Sequence, residues 1–376
     1  MNELRAVLAQ EIRERGPLPF SRYMEQCLYH PQLGYYSRSP EQFGKGGDFY
    51  TSSDVHAVFG RLLARQFEEM WQALGRPDRI VIKELGPGRG LFAQDVMDWA
   101  EKKFPDFFGA VRYELVEQSP ALRQRIAATL QRRFESGQVT FGSLEQTDNC
   151  PVIVFANEFF DAIPVEVISA KGSLRIDARD GRFLESWAAA SPQELQYLDR
   201  YSVRPEEGER LEVALQSQAL MSAAVGFDRG FVLVVDYGYT GPEQLAGRHR
   251  GTIKTIRQHA VSGSPYEAPG EQDITADVNF TALAAAVEQQ GFRAQKLVTQ
   301  SQFLMGIGEG TQFADAFEDC RLPQERAKVA LQLKHLVTPA GMGESFHVLV
   351  ASKGVAQENV QQLSGLSFGR RDSRGT

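Results

Sequence analysis

Ten residues, Val81-Ile82-Lys83-Glu84-Leu85-Gly86-Pro87-Gly88-Arg89-Gly90, narrow the fold more than any other stretch of this chain. They read as a buried strand ending in an acid, a glycine turn, and a helix that opens at Leu91-Phe92-Ala93. Alternating glycines let a backbone turn sharply and come close to a ligand, and the unpaired N–H groups of the following helix turn face the same cleft. A dinucleotide fold asks for glycine at the first, third and sixth positions. Here the sixth position is Leu91 and the third glycine is Gly90, which weakens a nicotinamide reading. The E-x-G-x-G-x-G pattern fits S-adenosylmethionine (SAM), a ligand with no pyrophosphate and a positive sulfonium. Glu84 stands at the strand end, where a carboxylate facing that charge would lie. A plain strand-to-helix turn carries similar glycines, so the following strands must decide.

The second strand, Val111 to Val116, delivers Glu117, an acid placed to accept both ribose hydroxyls of an adenosine group. Before Ser119-Pro120 the same acid also suits a helix N-terminus. A helix from Ala121 to Phe134 and a short strand near Val139-Thr140-Phe141 complete a β-α-β-α-β half, with Ser143-Leu144 where an adenine ring could rest. The strand Val152-Ile153-Val154-Phe155 is apolar throughout, as a strand buried on both faces should be. It runs into Asn157, Glu158 and Asp161, with Pro164 stopping any helix. Ligands of open α/β sheets bind off the C-terminal strand ends, so these polar groups face the crevice, unless the loop is simply solvated.

Ahead of this half lie a helix with Leu4, Leu8 and Ile12 at helical spacing, a helix over Ser21 to Leu28 capped by Ser21, and an aromatic, glycine-rich stretch. That stretch reads either as a surface loop or as a lid whose Tyr35, Tyr36, Phe49 and Tyr50 shut out water. A further helix runs from Asp54 to Leu74. Beyond Pro164, three short segments between Val165 and Glu185 read as an antiparallel meander, and helices follow at Ser191 to Arg200 and Glu209 to Val225. The parent sheet resumes at Phe231 to Gly238, a polar loop spans Gly241 to Asp277, and a last strand lies at Phe346 to Ala351. The resulting segments are 1–78 (N-terminal helical and lid), 79–164 (SAM-binding half), 165–228 (inserted meander plus helices), 229–354 (second half of the sheet) and 355–376 (polar, mobile tail).

Charge and cysteines exclude several classes. A net charge of -7 over 376 residues leaves no basic footprint for nucleic acid. Cys27, Cys150 and Cys320 form no C-x-x-C pair and no H-E-x-x-H occurs, so neither a disulfide framework nor a metal site is expected. No run reaches the roughly 18 apolar residues of a membrane span. Glu3, Glu11 and Glu14 argue against a mitochondrial presequence, which points to the cytoplasm.

Several blocks, in order along nearly the whole chain, together resemble one family. They are His30-Pro31 with Gly34-Tyr35-Tyr36, Gly47-Asp48-Phe49 with Thr51-Ser52, Glu84 to Gly90, Asn157-Glu158-Phe159-Phe160-Asp161-Ala162 with Pro164-Val165, Asp236-Tyr237-Gly238-Tyr239, Pro269 to Thr275, and Gly341-Met342-Gly343-Glu344. The chain resembles the MidA-like methyltransferases, which include the mitochondrial complex I assembly arginine methyltransferase and bacterial relatives. The resemblance implies a class I SAM-dependent methyltransferase: an α/β, Rossmann-like, seven-stranded, mostly parallel sheet, here with an inserted α+β subdomain and an N-terminal helical and lid segment. It implies SAM bound at Gly86, Gly88 and Glu117, an arginine in a protein partner as acceptor, and a respiratory-complex subunit as the class of partner. After Thr275-Ala276 this chain carries Asp277 and Asn279 where a histidine and an aspartate are expected, and Ile256 where an aromatic is usual.

The cofactor site expected is thus Glu84, Gly86, Pro87, Gly88, Gly90, Glu117, Gln118, Ser143, Leu144, Asn157 and Thr51. Methyl transfer is an in-line displacement that asks for alignment and dryness rather than a metal. A guanidinium acceptor, with a pKa above about 12, needs carboxylates that hold it and take its proton. Glu158 and Asp161 are the candidates, with Asp48 a third. The competing readings are an assembly protein that keeps the fold without turnover, a methyltransferase with a different acceptor, and a nicotinamide oxidoreductase. The meander also offers a surface for a homodimer or a partner.

Overall fold

The computed structural model describes residues 2–37, 57–145, 149–257 and 260–368. Short β-branched and aromatic runs bounded by turn residues form its strands. They are β1 (Leu18–Pro19), β2 (Ile80–Leu85), β3 (Val111–Val116), β4 (Val139–Phe141), β5 (Val152–Asn157) and β6 (Glu166–Ser169). Next come β7 (Gly172–Arg179), β8 (Arg182–Ala188), β9 (Leu211–Val213), β10 (Gly230–Tyr239), β11 (Lys254–Arg257) and β12 (Ala260–Ser262). The last are β13 (Asp273–Thr275), β14 (Val278–Asn279), β15 (Arg293–Ala294), β16 (Val298–Thr299) and β17 (Phe346–Lys353). The chain divides into two units, each drawn from separated stretches.

One, the sheet unit, takes its described residues from Tyr50–Asn157, Ser222–Asp236 and Val287–Thr376. Its main sheet has the strand order β15-β17-β10-β5-β2-β3-β4. The pairs β10–β5, β5–β2, β2–β3 and β3–β4 are parallel, and β17 is antiparallel to β15 and β16. This is the Rossmann-like, seven-stranded path expected of a class I methyltransferase. Every residue of β2 is buried, which explains its unbroken apolar character apart from Lys83 and Glu84. The helices Ala57–Ala73 and Leu91–Lys103 contribute Phe67 and Phe92 to the core. Phe92 stacks on Phe155 of β5 at 4.4 Å, and Phe67 meets Phe155 edge-on at 5.6 Å.

Two expectations for this unit change. The single helix over Ala121 to Phe134 is two, Pro120–Thr129 and Gln131–Glu135, separated at Leu130. The polar, mobile tail is structured as far as 368: a short helix, Gln357–Gln361, precedes a turn at Ser364–Leu366. Val360, Leu363 and Leu366 are buried, and Glu69 accepts hydrogen bonds from the Ser364 N–H at 2.9 Å and hydroxyl at 2.8 Å. Three apolar residues at spacing three anchor this segment.

The other, the composite unit, takes its described residues from Met1–Phe49, Glu158–Met221 and Tyr237–Ala286. The meander expected between Val165 and Glu185 is present as β6, β7 and β8, and it gains strands at both edges. β1 pairs antiparallel with β7, and β9 pairs antiparallel with β6. β9 lies where a helix was expected to begin at Glu209; the helix is Leu215–Ala224. All three residues of β9 are buried, so pairing and burial override the helical pattern. The helix Phe20–Tyr29 starts after Pro19, and the Ser21 hydroxyl donates to Glu166 at 2.5 Å instead of capping.

Leu4, Leu8 and Ile12 of the first helix share a core with Tyr23, Leu28, Tyr35, Val167 and Ile176. Tyr35 and Tyr36, expected on a lid, thus belong to the packed body of this unit. Phe49 and Tyr50 lie outside the described residues. The stretch read as a loop, Gly241 to Asp277, contains a small sheet of order β12-β11-β13. Beyond it, Val278 of β14 pairs in parallel with Gly238. Among the described residues no helix is long and apolar enough to cross a membrane.

Candidate functional site

In the sheet unit the glycine turn follows directly from β2. Gly86, Gly88 and Gly90 all adopt positive φ, at 64°, 54° and 77°. The turn is pinned by Gly86 N–H to the Val116 carbonyl at 3.1 Å and Gly90 N–H to the Pro87 carbonyl at 2.8 Å. The glycines divide the work. A Cβ on Gly90 would sit 3.2–3.3 Å from Leu130 and Ile126, so this position lets the turn close on the neighbouring helix. A Cβ on Gly88 would meet nothing within 4 Å; its glycine leaves open the space that a ligand would fill. The helix Leu91–Lys103 has no side-chain cap, so its first N–H groups stay available. This cradle fits SAM.

Glu84 is only 4% exposed, and Tyr113 of β3 donates to its Oε2 at 2.9 Å. Burial pushes its carboxyl up to about 8, against a smaller lowering by the tyrosine hydroxyl. At neutral pH it is largely protonated. Glu117, at the end of β3, is held differently: the Ser119 N–H donates to its Oε1 at 2.7 Å, and burial raises its carboxyl from the ordinary range. Gln118 and Ser143 are exposed, Leu144 is half-buried after β4, and Asn157 ends β5. The turn, Glu117, Ser143-Leu144 and Asn157 therefore all stand at C-terminal ends of parallel strands, where open α/β sheets bind ligands.

The composite unit holds the acids. Glu158 takes positive φ, 47°, a strained backbone for a non-glycine residue. Asp161 is 1% exposed. Tyr237 donates to its Oδ2 at 2.7 Å, and its carbonyl accepts from the Ala276 N–H at 2.9 Å. Burial pushes the Asp161 carboxyl up to about 6, the Tyr237 hydrogen bond opposes this, and Asp277 adds to it. Asp273 is likewise buried and accepts from Tyr36 at 3.0 Å. Asp277 accepts from Lys254 at 2.8 Å and pairs with His249 at 2.9 Å.

Asp48 and Thr51 lie outside the described residues. Tyr36, Tyr113, Tyr237, His249, Lys254, Asp273 and Asp277 received no catalytic or cofactor role from the sequence. For Tyr36, Tyr237 and Asp273 the signal was available, since all three fall inside blocks that carry the family resemblance. Asn279 accepts from the Ala282 N–H and donates to the Tyr201 carbonyl, a helix-opening role.

A turn built for SAM at the C-terminal end of an interior strand of a Rossmann-like sheet defines a class of protein, the SAM-dependent methyltransferases. The chain belongs to the family described as putative S-adenosyl-L-methionine-dependent methyltransferases, whose model matches residues 62–298, and its cofactor is SAM. Curated relatives include a mitochondrial protein arginine methyltransferase NDUFAF7 homolog from Drosophila melanogaster, 28% identical and covering 96% of this chain and 88% of its own. The Homo sapiens protein arginine methyltransferase NDUFAF7, also mitochondrial, is 26% identical, over 90% of this chain and 81% of its own. A crystal structure from Burkholderia thailandensis with S-adenosyl-homocysteine bound superposes with a TM-score of 0.82 at 28% identity, covering 94% of this chain and 92% of that one.

The expectation of a cytoplasmic protein is overturned by these relatives, which are mitochondrial. The acids of the first helix, on which it rested, sit on an element whose Leu4, Leu8 and Ile12 are buried in the composite unit. Glu3 and Glu14 are exposed and Glu11 pairs with Arg22 at 3.1 Å, so these acids serve a folded helix and say nothing of compartment.

Proposed function

We propose that this protein transfers a methyl group from SAM to an arginine side chain of a protein partner, in the class of respiratory-complex subunits. What carries the reading is reach: the relative named an arginine methyltransferase matches 96% of the chain, a span that takes in both the glycine turn and the buried acids. The cofactor is held by the backbone at Gly86, Pro87, Gly88 and Gly90, by Glu117 at the ribose, and by Gln118, Ser143, Leu144 and Asn157 around the adenosine and the strand ends. Glu84 supplies a carboxyl whose charge a sulfonium would favour.

Bound SAM supplies an activated methyl group. The chain's own residues must hold the guanidinium and take its proton. Asp161, brought to about 6, is mostly ionised at neutral pH and kept in one orientation by Tyr237. Glu158 acts with it on the acceptor. The test is incubation of the protein with SAM and peptides bearing arginine or lysine, read by mass spectrometry. Methyl groups should appear on arginine, and Asp161→Asn should lower the rate about 100-fold or more while SAM binding is kept. Methylation confined to lysine would sink the acceptor; full activity in the variant would sink the role of Asp161.

A further inference from the structure

We propose that the open edge of β8 is a docking site for an extended segment of a partner protein, one that sets an acidic side chain opposite Arg182 and an apolar one opposite Leu184. The site lies within the composite unit and concerns docking rather than chemistry, so it stands apart from the arginine reading above. β7 and β8 are joined by two residues, Asp180 and Gly181, whose φ values of 51° and 73° are both positive. A two-residue turn of this kind matches the twist of its strands and closes with the carbonyl before it bonded to the N–H after it, here Arg179 to Arg182. Bonded and non-bonded pairs then alternate along an antiparallel ladder. Since the register runs unbroken to Ser173–Ala188, the N–H and C=O groups of Phe183, Glu185 and Trp187 face away from β7. Among the described residues β8 pairs with β7 alone, and no other backbone hydrogen bond reaches those three residues.

Sheet edges are ordinarily blunted by proline, lysine, a bulge, brevity or an inward charge. β8 runs for seven residues with no proline, glycine or lysine and no break in register. Its inward charge, Glu185, is neutralised: Arg210 donates to its two carboxylate oxygens at 2.7 and 2.6 Å, and the Tyr266 hydroxyl donates at 2.9 Å. Those groups engage the face that Glu185 shares with Phe183 and Trp187, the one turned to the core of this unit. The opposite face stays open. It carries Arg182 and Leu184, the leucine 44% exposed, beside Asp177 and Arg179 of β7. Asp177 is engaged by Arg179 at 3.3 Å, whereas Arg182 forms no ion pair among the described residues. A row of unpaired amide and carbonyl groups asks for another polypeptide backbone, which neither a lipid surface nor a nucleic acid supplies. A second copy of β8 fits poorly, because its positions on this face are Arg182, Leu184, Ser186 and Ala188 and bring no carboxylate to Arg182. An extended segment with apolar and acidic residues on one face meets the backbone row, the leucine and the charge together.

The test uses the full chain and a labelled, disulfide-closed β-hairpin peptide, preorganised so that little ordering opposes binding. Its free strand carries valine and glutamate two residues apart on one face and threonine on the other. One control peptide replaces glutamate by lysine, and a second is N-methylated on the outward amides of the free strand. Kd is read by fluorescence anisotropy, amide exchange along β8 by NMR, and oligomeric state by sedimentation velocity; Tm is measured for the variants Arg182→Glu and Leu184→Lys. The acidic hairpin should bind and slow exchange at Phe183, Glu185 and Trp187 at least about tenfold. The lysine peptide and Arg182→Glu should each weaken binding about fivefold, Leu184→Lys about threefold or more, and N-methylation should abolish it, with Tm unchanged. No binding of the acidic hairpin at about 1 mM, or equal binding of its N-methylated form, overturns the docking edge. Equal binding of the lysine peptide overturns the acidic partner. A chain that sediments as a dimer, and as a monomer once Leu184→Lys is introduced, overturns the proposal in favour of a second copy. If a variant loses Tm, the three peptides on the wild type decide alone.

Discussion

The glycine turn of the sheet unit and the acid and tyrosine cluster of the composite unit are built on opposite plans. The turn spans five consecutive residues, Gly86 to Gly90, and works through backbone: positive φ, close approach, uncapped N–H groups. The cluster works through side chains, and its contacts join distant positions, Tyr237 to Asp161 across 76 residues and Tyr36 to Asp273 across 237. A site made of backbone is written in consecutive letters. A site made of side chains is written in the topology, and single residues in it carry little meaning until the fold brings them together.

The contrast can be broken most forcefully at Gly88. Gly88→Val places a β-branched side chain at φ 54°, in the space left for the ligand. Binding of SAM and of S-adenosylhomocysteine should fall at least about 100-fold, equivalent to ~2.7 kcal/mol, by calorimetry. Retained affinity for both would show that the turn is structural only.

A smaller effect should separate the two ligands. Because Glu84 is protonated below about 8, a cationic sulfonium that favours its ionised form must expel that proton on binding. Affinity for SAM should therefore rise as pH climbs toward 8, by up to about tenfold, or about 1.4 kcal/mol, per pH unit, relative to uncharged-sulfur S-adenosylhomocysteine. Glu84→Gln should remove the difference. Parallel pH curves for the two ligands in the wild type would place Glu84 in the support of the strand alone. The folding linkage has the opposite sign: a carboxyl raised by burial stabilises most at low pH and loses that contribution as pH rises through about 8.

The smallest expected effect sharpens the cluster. Tyr237→Phe removes the hydrogen bond that lowers the Asp161 carboxyl, so Asp161 should protonate at higher pH. The acid limb of the rate profile, near 6 in the wild type, should move up by roughly one unit or less. An unmoved limb would detach Asp161 from the proton that limits the rate.

These two plans also explain what was legible in the chain. β2, β3 and β5 were readable because buried parallel strands are short apolar runs, and Glu117 because it ends one of them. β9 hid inside a helix-like stretch because its three residues are fixed by pairing with β6 rather than by local preference. β11 and β13 were read as loop for the same reason: strands of three or four residues make sense only beside each other. The tail past 354 looked polar because its apolar anchors, Val360, Leu363 and Leu366, are scattered among polar neighbours, one of which, Ser364, is itself tied down by Glu69. Glu84 was placed correctly at the strand end, but its charge state is set by burial between β3 and β5, against a smaller lowering by Tyr113, and neither shows in the local sequence.

The composite unit has one further consequence, for the order of events on the ribosome. Its first helices bury Leu4, Leu8 and Tyr23 against β7, and its core is closed only by Ile274 and Ala276. At roughly 5–20 residues per second, the chain between the first stretch and the last needs on the order of ten to fifty seconds to emerge. Until β7 emerges the leading helices carry uncovered apolar faces, and their core stays open until Ile274 and Ala276 follow, so a holding chaperone would have most to do on these helices.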